Sequence, residues 1–144
     1  MRILNHLLLA ILVVLMMGAT TFIYLFSFDA NPPTEFRNLP FPTDKASYVH
    51  GERIRLYVDQ CRHVESPTVS RQQFVDTLTY NLSVIEGPGR PKGCASVWTS
   101  GTLVSDNLPP GHYYLQGINE YEVNFLATRY VTWRSQEFEV VREP

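Results

Sequence analysis

Residues Arg53 to Asp59 read RIRLYVD, and their alternation decides the fold class. Ile54, Leu56 and Val58 fall on one side of an extended chain, with Arg53, Arg55, Tyr57 and Asp59 on the other, because successive strand side chains point to opposite faces. The stretch is therefore a half-buried strand. The same period continues downstream. Phe74 to Ile85, FVDTLTYNLSVI, places Leu78, Tyr80, Leu82 and Val84 on one face, and Val75, Thr77, Thr79, Asn81 and Ser83 on the other. Glu86 to Gly93, EGPGRPKG, is a loop by its glycines and prolines. Cys94 to Thr99 and Gly101 to Val104 read as shorter strands. Beyond the turn Asn107 to Gly111, NLPPG, come HYYLQG (112–117), YEVNF (121–125), RYVTW (129–133) and EFEVV (137–141). Short strands with frequent turn signals and no helical pattern predict an all-β sandwich of about seven strands, with Trp98, Trp133, Tyr113 and Phe138 supplying large core area.

Two motifs in this region carry a family resemblance. Gly51-Glu52-Arg53-Ile54-Arg55-Leu56 resembles the glycine-acid turn and second strand of immunoglobulin-like domains. Leu108-Pro109-Pro110-Gly111-His112-Tyr113-Tyr114-Leu115 resembles the corner feeding a late strand in immunoglobulin-like and fibronectin type III sandwiches, where a tyrosine hydrogen-bonds back across the turn. The resemblance implies a single immunoglobulin-like β-sandwich over residues 47–144, with Tyr113 as the tyrosine corner. Trp98 follows both cysteines, which departs from the Cys, Trp, Cys order of antibody domains. The layout, one sandwich on a short N-terminal anchor, is also similar to small membrane-anchored proteins of phages and bacteria.

Toward the N-terminus, Leu7 to Phe28, LLLAILVVLMMGATTFIYLFSF, carries no charge. At about 1.5 Å per residue this helix is roughly 33 Å long, which matches a hydrocarbon core of about 30 Å. A cleaved secretory signal would end near Gly18-Ala19-Thr20, yet the apolar run continues through Phe26. A buried core helix would carry a polar face. The reading is a transmembrane signal anchor, with residues 1–6 a short cytoplasmic tail. Arg2 on the N-terminal side, with Asp29 and Glu35 beyond the span, places the C-terminal domain outside the cytoplasm, periplasmic or extracellular. Residues 29–46, DANPPTEFRNLPFPTDKA, form an extended proline-rich stalk, the alternative being that Phe36, Leu39 and Phe41 dock as an edge strand.

Charge and motifs narrow the function. Lysine and arginine number 12 against 14 acidic residues, for a net charge of −2, a near balance that argues against a nucleic-acid partner or an anionic-lipid surface. No nucleophile elbow, zinc-protease, phosphate-loop or dinucleotide fingerprint occurs, so no enzyme, cofactor or metal is expected. Cys61 and Cys94 are an even pair in an exported domain and are expected to form a disulfide, the rival being buried free thiols. Catalysis or metal binding by Cys61 with His63 is rejected, because residues two apart on a strand do not meet and no second ligand pair follows. Candidate binding loops are Arg62 to Gln73, with Arg62, His63 and Arg71, and Glu86 to Gly93, with Arg90 and Lys92.

The expected function is a membrane-anchored extracytoplasmic binding or accessory module for protein–protein interaction at the cell envelope or surface. Its partners are another membrane or surface protein and, through residues 7–28, the bilayer; no nucleic acid and no small-molecule cofactor is expected. An alternative is a structural subunit of a membrane or virion assembly, with Gly18, Ala19, Thr20 and Thr21 permitting close helix approach. A hydrolase or thiol enzyme is the third class.

Overall fold

The computed structural model describes residues 2–27, 32–82, 84–124 and 127–142. Phe28, residues 29–31, Ser83, Phe125 and residues 143–144, which the expectations above include, lie outside the described residues.

Helix α1 runs from Arg2 to Ser27, starting before Leu7 because nothing in the preceding residues breaks a helix. Its stretch Ile3–Leu25 is long and apolar enough to cross a membrane, and none of it is buried against the rest of the chain. The Thr20 and Thr21 hydroxyls donate back to the Met16 and Met17 carbonyls, at 2.5 and 2.8 Å, so their polar atoms are satisfied on an apolar helix.

Among the described residues the rest is β-structure in twelve strands rather than about seven: β1 (Thr34–Phe36), β2 (Ser47–Val49), β3 (Arg53–Ile54), β4 (Tyr57–Arg62), β5 (Thr68–Val75), β6 (Thr79–Asn81), β7 (Ile85–Gly87), β8 (Gly93–Trp98), β9 (Thr102–Leu103), β10 (Gly111–Asn124), β11 (Ala127–Arg134) and β12 (Phe138–Val141). One sheet has the order β1-β4-β8. The larger one runs β2-β12-β10-β5-β6, with β11 also on β10 and β7 also on β5, and β3 pairs β9 separately. All of these pairings are antiparallel except β2 with β12. The sheets are open and mixed, which is coarser than the sandwich expected.

Several strands divide where backbone groups find partners outside the ladder. The RIRLYVD stretch breaks between β3 and β4 because the Arg55 N–H donates to the Asp44 carboxylate and the Leu56 N–H to the Thr99 hydroxyl, at 3.0 and 2.9 Å. β8 and β9 part at Gly101, whose φ of +92° is open to glycine. The predicted strand over residues 74–85 is instead a hairpin: Phe74 and Val75 end β5, the chain turns through Asp76 to Leu78, and β6 returns along β5. Leu78 sits in that turn and is exposed.

The apolar interior comprises Phe41, Tyr48, Ile54, Leu56, Val58, Phe74, Val104, Leu108, Tyr113, Leu115, Trp133, Phe138 and Val140. Each large side chain so buried contributes about 1.5–3 kcal/mol. Phe138 lies edge-on to Tyr48 at 5.5 Å and to Phe74 at 6.2 Å, while Phe41 joins Phe36 at 5.0 Å to Trp133 at 5.6 Å. Trp98, expected inside, is 52% exposed. It pairs with Tyr57, and the two rings pack at 5.3 Å on the sheet face opposite Val58.

Part of the segment expected as a stalk is packed on the sheets. β1 pairs β4, Phe41 is buried, and the backbone joins Phe41 to Arg134 and Gln136 and Pro42 to Tyr57. Burial of Phe41 and half-burial of Phe36 outweigh the stiffness that four prolines confer.

Candidate functional site

Between the β1-β4-β8 sheet and the largest sheet the interior changes character along its length. The inward face of β5 carries Thr68, Ser70, Gln72 and Phe74, of which only Phe74 is buried. The inward face of β4 ends in Gln60 and Arg62. Together with Asn119 and Tyr121 of β10, Ile85 and Gly87 of β7, Arg90 and Val97, these residues line a cleft of about 350 Å³. Its lining includes two arginines and no carboxylate. The size lies at the lower end of ordinary small-ligand sites.

A connected set of contacts crosses the floor. The Trp133 indole N–H donates to the Asn119 side-chain oxygen at 3.1 Å, and the Asn119 amide donates to the Tyr121 hydroxyl at 3.3 Å. The Arg62 guanidinium lies 5.5 Å from the centre of the Tyr121 ring. One terminal nitrogen of Arg62 donates to the Ser66 carbonyl at 2.9 Å and to the Thr68 hydroxyl at 3.3 Å. Arg62 is only 8% exposed and forms no ion pair among the described residues. Its Nε is a buried atom without a partner among the described residues, as are the hydroxyls of Thr34 and Ser66. Thr34 stands directly opposite Arg62 in the β1–β4 ladder, and of these three residues Arg62 alone lines the cleft. The Asn124 amide, on the same strand as Tyr121, donates to the Leu25 carbonyl at 3.1 Å.

The candidate binding residues divide between this cleft and other surfaces. Arg62, expected in a loop, is the last residue of β4 and is buried. Arg90 lines the cleft from the exposed connection between β7 and β8. Arg71 is on β5, not in a loop; it points away from the cleft and sits 3.7 Å from Glu120. His63 is exposed, its backbone N–H bonded to the Pro33 carbonyl at 2.9 Å. Lys92 is exposed and is not part of the cleft lining. The two candidate loops do touch, because a Cβ on Gly89 would lie 2.3 Å from the Glu65 carbonyl oxygen. Gln60 and Asn119 are cleft residues that the sequence reading passed over, while Thr68, Ser70 and Gln72 fall inside the candidate segment Arg62 to Gln73 without having been singled out.

Cys61 and Cys94 are bonded, as expected, across directly paired positions of β4 and β8. Directly opposed strand residues bring their Cα atoms within reach of a disulfide. No thiol is left at either position for the chemistry considered with His63. The Tyr113 hydroxyl donates to the Pro109 carbonyl at 2.7 Å. Burial, followed by the nearby Tyr80 and Asp76, raises its pKa above the ordinary tyrosine value.

Away from the cleft, Asp44 organises a second polar cluster. It accepts from the Tyr48 hydroxyl at 2.5 Å and the Arg55 N–H at 3.0 Å. Burial pushes its pKa up, but those hydrogen bonds to the charged form pull further and leave it below the usual value. Glu52 is lowered by its Lys45 hydrogen bond, at 2.6 Å, and by the Val49 N–H. For Tyr48, burial and the Asp44 hydrogen bond raise the pKa strongly.

No protein-family model and no curated protein matches this chain. Among solved structures, that of the Pseudomonas fluorescens alkylpurine DNA glycosylase AlkC bound to DNA containing an abasic site analog is similar at 15% identity and a TM-score of 0.40, covering 76% of this chain and 31% of that one. That protein is an enzyme, against the expectation of none stated above; at a TM-score of 0.40 the likeness transfers no reaction to this chain.

Proposed function

We propose that this chain is a membrane-anchored extracytoplasmic binding module whose β domain is an immunoglobulin-like sandwich and whose recognition surface is the cleft between its sheets. The strand order supports the fold reading: β4 with β8 corresponds to strands B and E, and β5, β10 and β12 to strands C, F and G of the immunoglobulin arrangement. The Tyr113 bond to Pro109, at the start of the strand in the F position, supports it as well. The observation that carries the functional reading is the cleft itself. A strand face whose inward residues are Thr68, Ser70 and Gln72 forgoes the apolar packing that Phe74 and Leu115 make further along, and leaves an opening edged by Arg90 and Val97.

The partner is another membrane or surface protein at the cell envelope, met from the extracytoplasmic side. A photo-crosslinking residue at Val97, in the native membrane, is expected to give one discrete protein adduct. Arg90→Glu is expected to abolish it, whereas Arg71→Glu, on the opposite face of β5, leaves it intact. Loss of the adduct with both charge reversals, or with neither, would sink the cleft as the recognition surface. An impermeant amine reagent applied to intact cells tests the orientation, since Lys92 is then modified only if the domain lies outside.

A further inference from the structure

We propose that the open edge of β8 takes up an extended segment of the partner protein as an added strand, one that carries an acidic residue for Arg90 beside the cleft. The proposal deepens the binding-module reading and rests on it for the cleft as the recognition surface.

Backbone alternation in the β1-β4-β8 sheet decides which groups of β8 are free to pair. The Thr99 N–H donates to the Leu56 carbonyl at 2.9 Å, so these opposed residues are a hydrogen-bonded pair. In an antiparallel ladder such pairs alternate with pairs whose N–H and C=O point away from each other. Val58 with Val97 and Gln60 with Ala95 therefore bond across the ladder, while Asp59 opposite Ser96 and Cys61 opposite Cys94 turn outward. The far side of β4 agrees, since the Asp59 carbonyl accepts there from the Arg37 N–H at 2.9 Å. On β8 the outward groups belong to Cys94, Ser96 and Trp98, and they have no backbone partner among the described residues.

Such an edge is a template for another strand, and proteins usually blunt it with charge, proline, a bulge or brevity. β8 has none of these protections. Its sequence GCASVW is uncharged, six residues long, in unbroken register with β4 and exposed throughout. By contrast β2 and β6, at the ends of the larger sheet, have three residues each. In the immunoglobulin arrangement proposed above, a strand D lies beyond the strand in the E position, and no described strand occupies that place beside β8.

The occupant follows from what borders this edge. Ala95 and Val97 stand opposite Gln60 and Val58, which line the cleft, so alternate side chains of an added strand face the cleft as well. β7 borders the same cleft, and Arg90 stands in the connection from β7 to β8. With two arginines and no carboxylate in the lining, the local field favours an acid on that face. A second copy of β8 brings no acid and adds its own Arg90. Within this sequence the longest stretch outside the described residues, 28–31, is shorter than β8. The added strand therefore comes from another protein, by main-chain pairing with side-chain selection.

The experiment uses the full chain in its native membrane with the photo-crosslinking residue at Val97. Sequencing of the adduct is expected to give an acidic segment of another protein. Hydrogen exchange of the purified adduct in dodecyl maltoside is expected to show the Ser96 and Trp98 amides slowed about a hundredfold or more relative to the uncrosslinked chain. Ser96→Pro removes an outward N–H and no ladder bond, a change that edge strands tolerate, and is expected to cut the adduct yield about tenfold or more. Asp59→Ala breaks the 3.1 Å side-chain contact with Ser96, keeps every N–H of β8, and is expected to retain the adduct. An adduct peptide from β8 of a second copy, amides that exchange equally fast in the adduct, or an undiminished adduct with Ser96→Pro overturns the added strand. The exchange measurement keeps Ser96 in place and so does not depend on how the proline variant folds. The two readings separate: an adduct with unprotected amides refutes the strand pairing alone, whereas absence of any Val97 adduct refutes the cleft surface and the pairing together.

Discussion

Gly117 and Trp133 face each other in the β10–β11 ladder, and replacing that glycine by alanine is the sharpest test of how the interior is held. A Cβ on Gly117 would lie 2.3 Å from Trp133 Cζ2, 2.4 Å from Cε2 and 2.8 Å from Nε1. Carbon atoms pack at about 3.5–4.0 Å, so the indole has to retreat by about 1 Å or more. It has little room to do so. The Phe41 ring packs against it, tilted by 41°, at 5.6 Å, and the indole N–H is held by Asn119 at 3.1 Å. Overpacking costs about 1–3 kcal/mol and the strained hydrogen bond about 1 kcal/mol, against about 0.4–1 kcal/mol regained from the less flexible unfolded chain. The net is about 2 kcal/mol of destabilisation, or a fall of about 10 °C in Tm for a domain of this size. Urea and thermal unfolding of Gly117→Ala in detergent, followed by tryptophan emission, measure it. Trp133 is 7% exposed and Trp98 52%, so displacement of the buried indole also red-shifts the blue edge of the native spectrum. A variant as stable as the parent, with unchanged emission, would show that the indole has room and refute the reasoning.

Three further outcomes follow from the geometry. Intact mass after alkylation is expected to show no added group without reductant and two with it, and Cys61→Ser is expected to destabilise the domain by up to about 4 kcal/mol, since the bond closes a sequence separation of 33. Tyr113→Phe removes the 2.7 Å bond to the Pro109 carbonyl and is expected to cost about 1 kcal/mol in a urea titration, without changing the pairing of β10. The Asp44 carboxyl has its pKa lowered in the folded state, so its contribution is fully present above the unfolded value near 3.8 and is lost as pH falls below it; unfolding across pH 2–6 is expected to show an acid limb that Asp44→Asn flattens.

What could be read from the sequence depended on whether a residue's neighbours are local. RIRLYVD announces its two faces, and Ile54, Leu56 and Val58 are buried as that pattern requires. The break at Arg55 and Leu56 could not be read, because it depends on the Asp44 and Thr99 side chains, which lie far away in sequence. Trp98 was misplaced by its size, although the alternation of CASVW groups it with Ser96 and Cys94 rather than with Val97. The strand Thr68–Val75 was missed for a reason tied to the site. TVSRQQFV has Val69 as its one apolar residue before Phe74, since the inward residues line an open cleft instead of a core, and period-two apolar patterning cannot mark such a strand. Arg62 was singled out for its charge, but its burial was hidden by the pairing of β1, which comes from the segment read as a stalk.

That docked segment also fixes how far the domain can travel. With Ser27 ending α1 and Pro32 preceding β1, the chain between them spans at most about 17 Å even when fully extended. With α1 in a bilayer, the domain is on a short leash and sweeps a thin layer over the membrane instead of probing the space beyond it. Such an anchor would favour lateral encounters, in a two-dimensional search where confinement to that layer raises the effective concentration of every neighbour in the same membrane.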